Sequence, residues 1–179
     1  IYIINTCTVT NFGDKKSRQL IRKVKRQNEN AIVCVVGCYA QTAPQELEKV
    51  EGVNLVLGTK DRAQIVEMVE NYKVENGVES HVSDIMKERL FEPLSIQKLA
   101  NRTRAYLKIQ DGCSQFCSYC IIPYARGPIR SRDPQDVLAE VKRLAENGFK
   151  EVVLTGIHVA SYGKDRRDTS LIEILRQVH

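Results

Sequence analysis

Short apolar runs alternate with amphipathic segments along the first part of the chain, and this alternation strongly limits the fold. The apolar runs Ile1–Ile4, Ala31–Val36 and Val53–Leu57 have the length of β-strands. Runs with few polar residues are typical of strands that are buried on both faces of a parallel sheet. The alternating order of strands and helices therefore predicts an α/β domain with a parallel sheet covered by helices.

The segments between these runs have the spacing of amphipathic helices. The first helix is predicted at Asp14–Asn28, with Leu20, Ile21 and Val24 directed inward and Lys and Arg side chains on the opposite face. Two further helices are predicted, one near Pro44–Val50 and one over Arg62–Tyr72.

A second strand–helix–strand unit follows a polar stretch. Strand Arg104–Gln110, helix Pro134–Asn147 and strand Glu151–Thr155 precede a last helix at Ser170–Val178. This order is that of the first βαβ units of an α/β barrel, in which loops at the carboxyl ends of the strands carry the chemistry. We therefore predict an N-terminal parallel-sheet domain at 1–75, a connection at 76–103 that adds a strand or two, and the start of a partial TIM barrel at 104–179.

Composition excludes two classes of protein. Of the 179 residues, 42% are hydrophobic and 27% are charged, which argues against general disorder. No apolar run approaches the roughly twenty residues that span a bilayer, so no membrane partner is predicted. The net charge of +5 is compatible with a polyanionic partner. The chain opens inside a strand-like run and closes on a helix, and we expect it to be a piece of a longer protein.

Three cysteines in the stretch DGCSQFCSYC carry the strongest chemical signal. Cys113, Cys117 and Cys120 have the spacing C-x3-C-x2-C. Cysteine thiolates are the usual ligands of iron–sulfur clusters, and three of them leave one iron of a [4Fe–4S] cluster open for a substrate or cofactor. A zinc site is the main alternative, although structural zinc normally takes four ligands and no histidine has a finger-like spacing from the trio. Simple packing in a core and a disulfide framework fit the spacing less well.

Two more cysteines follow the first two predicted strands. Cys7 comes directly after the first strand and Cys38 directly after the second. If these strands are neighbours in a parallel sheet, the two thiols meet at one edge and share a metal site. The alternative is a lone thiol in each turn. Cys34 lies within the second strand and is predicted to be a core residue.

Two groups of cations are candidates for contacts with RNA phosphates. The first, Arg126, Arg130 and Arg132, follows the cysteine loop, where the guanidinium groups could also orient a carboxylate. The alternative for these three arginines is a solvated or salt-bridged loop. The second group lies on the first helix and includes Lys15, Lys16 and Arg18. A solvated helix face is the alternative for this group.

Five sequence blocks occur in a fixed order, namely NTCTVT, VVGCYAQ, VLGTKDR, RAYLKIQDGCSQFCSYCIIPYARGPIRSR and VVLTGIHVASYG. In these blocks the chain resembles the radical S-adenosylmethionine methylthiotransferases, nearly from end to end. NTCTVTNFGDKKSRQ and TGIHVASYG are most similar to the branch that modifies N6-threonylcarbamoyladenosine in tRNA. Sister branches act on isopentenyl-adenosine in tRNA or on an aspartate of a ribosomal protein.

The resemblance implies two [4Fe–4S] clusters and S-adenosylmethionine as cofactors. Cys113, Cys117 and Cys120 would hold the radical cluster, whose electron cleaves the sulfonium to give a 5′-deoxyadenosyl radical that takes hydrogen from adenine C2. Cys7 and Cys38 would be two of the three ligands of an auxiliary cluster that supplies sulfur, while another S-adenosylmethionine supplies the methyl group.

The resemblance also implies further site residues and partners. Tyr119 and Gly156 would contact the cofactor, and the third auxiliary ligand would precede the present chain. A tRNA substrate, an electron donor protein, a cytoplasmic location and a monomeric state are expected, while this piece alone is expected to be inactive. A non-catalytic, zinc-binding RNA module is the alternative from another functional class.

Overall fold

The computed structural model describes residues 1–93 and 103–179, which fall into two units. The first unit contains Ile1–Lys87 and Ser118–Arg126, and the second contains the described residues of Glu88–Cys117 and Gly127–His179. Residues 94–102 of the predicted connection lie outside the described residues. Residues 118–126, placed in the second domain from sequence, pack with the first unit.

A parallel four-stranded sheet forms the centre of the first unit, as predicted. Its strands lie side by side in chain order, with the bounds β1 (Tyr2–Thr6), β2 (Val33–Gly37), β3 (Leu55–Leu57) and β4 (Glu79–His81). β4 lies within the segment that was predicted as a connection adding a strand or two, and it pairs with β3 of the first unit.

Five α-helices belong to the first unit, with the bounds α1 (Asn11–Gln27), α2 (Cys38–Thr42), α3 (Pro44–Glu48), α4 (Ile65–Asn71) and α5 (Ile122–Arg126). The helix predicted near Pro44 corresponds to α3, whereas α2 and α5 were not predicted. Ala43 separates α2 from α3 with a non-helical φ of −141°. A proline disfavours helical conformation in the residue before it, which explains this break.

Both faces of the first sheet are buried. Val33 and Val35 of β2 pack in one hydrophobic cluster, and Cys34 and Val36 pack in another. Because side chains alternate across a strand, the two clusters lie on opposite faces. This burial explains the continuous apolar run in β2.

Helix α1 follows the predicted pattern with one correction. Thr10 caps it by accepting a hydrogen bond from the backbone N–H of Gly13, and Ile21 and Val24 are buried. Leu20, which was predicted to point inward, is 45% exposed. Ser17, Ile21 and Val24 follow the i, i+4, i+7 spacing of the buried face, and Leu20 lies at its margin.

The second unit contains the predicted βαβ arrangement. Strand β5 (Arg104–Asp111) pairs in parallel with β7 (Glu151–Gly156), and α6 (Pro134–Glu146) connects them. A two-residue strand that was not predicted, β6 (Arg130–Ser131), pairs antiparallel with the end of β5. Helix α7 (Leu171–Val178) packs with α6 over the same core, which includes Leu107 and Ile109. Within the described residues, no helix combines the length and apolar character needed to cross a bilayer.

Candidate functional site

The cysteine trio lies on irregular backbone between β5 and α5. Cys117 is exposed, Cys113 and Cys120 are partly buried, and all three thiols are free. Across residues 1–93 and 103–179, no three His, Cys, Asp or Glu side chains are gathered as a metal-ligand group. Tyr119, directly before the last cysteine, is 90% exposed. The structure therefore presents three soft donors near the surface, with the chemistry that an iron–sulfur cluster requires.

The base of the cysteine loop is closed by two hydrogen bonds. The N–H of Cys113 donates to the carbonyl oxygen of Gly127 at 3.0 Å, and the N–H of Ile129 donates to Oγ of Ser114 at 3.2 Å. Gly112 has φ +70°, and a Cβ at this position would collide with the carbonyl oxygen of Pro128. Only glycine combines this backbone conformation with so close an approach of the two chain segments.

A buried amide, to which no motif pointed, supports the start of the loop. The side chain of Gln110 is fully buried, and its nitrogen donates to the carbonyl oxygens of Asp111 and Gly112, both at 2.7 Å. Its oxygen accepts from the N–H of His158 at 2.8 Å. A polar residue at the end of a predicted strand, directly before Asp-Gly-Cys, was the available signal in the sequence.

Gly156 has a structural reason to be glycine. It ends β7 opposite Gln110, and a Cβ there would lie 2.8 Å from the Gln110 side-chain oxygen. The missing side chain thus makes room for the buried amide. Its expected contact with S-adenosylmethionine stays a prediction.

Cys7 and Cys38 follow adjacent strands, as their prediction required. β1 and β2 are parallel neighbours with Thr6 opposite Gly37, so the two cysteines each come one residue after a paired position. Cys7 is exposed and Cys38 is buried. Gly37 has φ +100°, and a Cβ would lie 2.6 Å from the carbonyl oxygen of Thr6, which explains the glycine at this position.

Cys34 is a core residue, as predicted. It is fully buried in β2, and burial raises the pKa of its thiol to about 11. A buried neutral thiol of this kind is a poor metal ligand, because ligation requires the thiolate.

Arg126 lies beside a predicted cluster ligand. Its Nε donates a hydrogen bond to Sγ of Cys38 at 3.2 Å, and both residues belong to the first unit. From the sequence, Arg126 follows the cysteine loop and was a candidate for contact with RNA or a carboxylate. The contact with sulfur was not predicted, because 88 residues separate the two side chains along the chain.

Arg130 and Arg132 are both buried. Arg130 lies 3.8 Å from the buried carboxylate of Asp111, which also accepts from Nζ of Lys108 at 2.5 Å. This arrangement corresponds to the salt-bridged alternative for Arg130. Nε of Arg132 is buried and has no hydrogen-bond partner among the described residues. Neither guanidinium presents an open surface to an RNA phosphate.

The basic helix α1 presents two kinds of cation. Lys15 and Lys16 are exposed. Arg18 instead donates to the hydroxyl of Tyr39, which in turn donates to Glu46 at 2.8 Å. Arg18 is thus partly engaged in packing α1 against the short helices that follow β2.

Two family models match separate parts of the chain. The model described as "Radical SAM superfamily" matches residues 107–178, which include the cysteine trio and Gly156. The model described as "Uncharacterized protein family UPF0004" matches residues 1–58, which include Cys7 and Cys38.

Curated relatives match the chain over nearly its whole length. It is 49% identical, over 99% of its residues, to the threonylcarbamoyladenosine tRNA methylthiotransferase MtaB of Bacillus subtilis. The chain belongs to the radical S-adenosylmethionine methylthiotransferase family. It is 44% identical over 93% of its residues to the protein of the same name from Aquifex aeolicus. It is 34% identical, over its full length, to the tRNA-2-methylthio-N(6)-dimethylallyladenosine synthase of Dictyoglomus thermophilum.

The aligned part is a fraction of these methylthiotransferases. The chain spans 40% of the length of the Bacillus and Aquifex relatives and 41% of the Dictyoglomus relative.

Proposed function

We propose that the protein carrying this chain is an enzyme that adds a methylthio group to C2 of N6-threonylcarbamoyladenosine next to the anticodon of tRNA. The observation that carries this proposal is the 49% identity, over 99% of the chain, to a Bacillus subtilis protein whose name gives that substrate. The lower identity of 34% to a relative named for dimethylallyladenosine favours the threonylcarbamoyl branch.

In this proposal Cys113, Cys117 and Cys120 hold a [4Fe–4S] cluster with one open iron for S-adenosylmethionine. The free thiols and their position at the surface fit such a cluster. When bound, the cluster and S-adenosylmethionine supply the one-electron chemistry that activates adenine C2. Because ligand arrangement and metal binding are coupled, the cluster would draw the three thiolates together.

Other residues of the second unit position the start of this loop, at Cys113. Gln110 holds the carbonyl groups that precede Cys113, and the conformation of Gly112 lets the loop close against Pro128. We assign cofactor contacts to Tyr119, whose exposed ring is available for packing, and to the backbone at Gly156. Such contacts orient the cofactor and exclude water from the reacting atoms.

The second part of the proposal concerns sulfur supply. Cys7 and Cys38 would be two of the ligands of an auxiliary [4Fe–4S] cluster. Their positions after neighbouring parallel strands support a shared site.

The proposed substrate is a polyanion, and its contacts are assigned to exposed cations. Lys15 and Lys16 on α1 can reach phosphate oxygens, and Arg18 can contribute where its contact with Tyr39 permits. The proposal further includes an electron donor protein and a cytoplasmic location, where tRNA is available.

Nucleoside analysis of tRNA from a deletion strain tests the function. Loss of methylthiolated threonylcarbamoyladenosine is expected, with recovery by the full-length gene and by its Cys34→Ala variant but not by Cys113→Ala. Loss of the methylthio group from isopentenyl-adenosine would instead assign the sister branch. Unchanged tRNA would exclude both, and the ribosomal-protein aspartate would then be examined by mass spectrometry.

Anaerobic reconstitution with iron and sulfide separates the enzyme from a zinc-binding RNA module. The enzyme should become brown, and its electron paramagnetic resonance signal should change when S-adenosylmethionine is added. Stoichiometric zinc without any response to S-adenosylmethionine would contradict the enzyme.

A further inference from the structure

The hydrogen bond between Arg126 and Cys38 joins a guanidinium to a buried sulfur. Nε of Arg126 is 3.2 Å from Sγ of Cys38, and Cys38 is only 7% exposed. Because arginine has N–H donors and no acceptor, the nitrogen must be the donor of this hydrogen bond and the sulfur its acceptor. A thiol accepts such a bond weakly, whereas a thiolate accepts a charge-assisted bond.

Hydrogen bonds of two buried polar residues hold Arg126 and Cys38 next to each other. Thr59 donates from its hydroxyl to the carbonyl oxygen of Ala125, the residue before Arg126, at 2.9 Å. The N–H of Thr59 donates to the side-chain oxygen of Gln41 at 2.9 Å, and Gln41 lies in α2, the helix that starts at Cys38. Thr59 and Gln41 are themselves buried. These bonds fix α5 beside α2 and so fix the guanidinium beside the sulfur.

A donor fixed at this point would act on a cluster bound by Cys38. Hydrogen bonds to cluster sulfurs and nearby charge set the reduction potential of iron–sulfur clusters. Partners of this kind also orient the ligand atoms themselves. A positive guanidinium stabilises the more negative, reduced state, and therefore raises the potential.

We propose that Arg126 is a positioning residue for a metal–sulfur cluster held by Cys38, orienting the Cys38 sulfur and raising the cluster's reduction potential. This inference rests on the proposed function, because it requires the second cluster. It assigns Arg126 to the first unit's metal site and not to RNA.

The test uses the full-length protein, reconstituted anaerobically. Cys113→Ala, Cys117→Ala and Cys120→Ala together remove the radical cluster, so that only the second cluster gives a signal. In this background Arg126→Met removes the charge and the donor, and Arg126→Lys keeps the charge. Arg167→Met is the matched control, because it removes an arginine from an exposed position in the second unit. Iron content, circular dichroism and the midpoint potential from a redox titration followed by electron paramagnetic resonance are measured for each variant.

Arg126→Met is expected to shift the midpoint potential to more negative values or, with its circular dichroism unchanged, to lose iron. Arg126→Lys should show a smaller shift, and Arg167→Met none. Full iron content with an unchanged potential in Arg126→Met would overturn the inference while leaving the second cluster intact. Equal shifts in Arg126→Met and Arg167→Met would overturn it in favour of a general charge effect. A background protein without any iron would instead overturn the second cluster itself, and this inference with it. Weaker tRNA binding by Arg126→Met, with an unmoved potential, would return Arg126 to the RNA interface.

Discussion

The side chain of Gln110 accepts a hydrogen bond from the backbone N–H of His158, which lies 48 residues further along the chain, at 2.8 Å. The nitrogen of the same amide donates to the carbonyl oxygens of the two residues before Cys113. One buried carboxamide therefore connects the start of the cysteine loop to the backbone that follows β7. Both hydrogens on nitrogen and one lone pair on oxygen are used, which only a primary amide of this length can provide.

Gln110→Glu should destabilise the protein by roughly 2–3 kcal/mol at neutral pH. The substitution removes two donors and places a carboxylate against two buried carbonyl groups. The loss of stability should become smaller as the pH falls, because the carboxyl group of the variant is then protonated and can donate one hydrogen bond. Denaturant unfolding measures both effects. Gln135→Glu, at an exposed position in the first turn of α6, is the control and should change stability by less than about 0.5 kcal/mol. Equal stability of the two variants would contradict the role assigned to Gln110.

Gly112→Ala should lower both the stability of the protein and the iron content of the proposed radical cluster. Gly112 and Gly148 both have positive φ, at +70° and +86°. A Cβ at Gly148 would meet no atom within 4 Å, whereas a Cβ at Gly112 would collide with the backbone of Pro128. Gly148→Ala therefore measures only the strain of a left-handed backbone conformation, which should lower the free energy of unfolding by about 1–2 kcal/mol. Thermal unfolding and iron analysis compare the two variants, and similar results for both would show that the close approach at Pro128 does not shape the loop.

The buried thiol of Cys34 should make stability depend on pH in the alkaline range. Its pKa is raised from 9.0 to about 11 by burial, so the folded protein holds the proton more tightly than the unfolded chain. This contribution is complete below pH 9 and is lost as the pH rises through 11. Between about pH 8 and pH 11 the free energy of unfolding should fall by about 2 kcal/mol relative to Cys34→Val. If the free energies of unfolding of the two proteins changed in parallel with pH, burial would not raise the pKa of Cys34, and the prediction would be wrong.

Two cysteines four positions apart should differ in their effect on metal content. In the full-length protein, Cys38→Ala should lower the iron bound at the proposed second cluster, because Cys38 and Cys7 each directly follow one of two paired neighbouring strands. Cys34→Ala should leave iron unchanged, since its side chain is fully buried in β2. Iron and sulfide analysis after reconstitution measures the cluster content of each variant. Iron loss in Cys34→Ala alone would reverse the assignment.

Local pattern was sufficient for most of the fold. Apolar runs predicted β1, β2 and β3, the strand–helix–strand order predicted β5 and β7, and helical spacing predicted α1, α4, α6 and α7. The short elements α2, α5 and β6 were not predicted, because a segment of two to five residues is too short to show the periodicity of a helix or a strand. The inward assignment of Leu20 failed because a helix face is defined only to within about one residue on each side.

The sequence by itself determined the α/β class and the spacing of the three cysteines. It also determined that Cys7 and Cys38 each directly follow the end of a strand. These features depend on residue type and on contacts near in the chain. Only the tertiary structure decided which partner each polar side chain finds. It placed Arg126 against Cys38, buried Arg130 beside Asp111, and set Gln110 between Gly112 and His158. Such partners are chosen by the packing of distant segments, where a buried donor or acceptor must be satisfied by whatever group the fold brings near. Spacing along the chain carries no record of that choice.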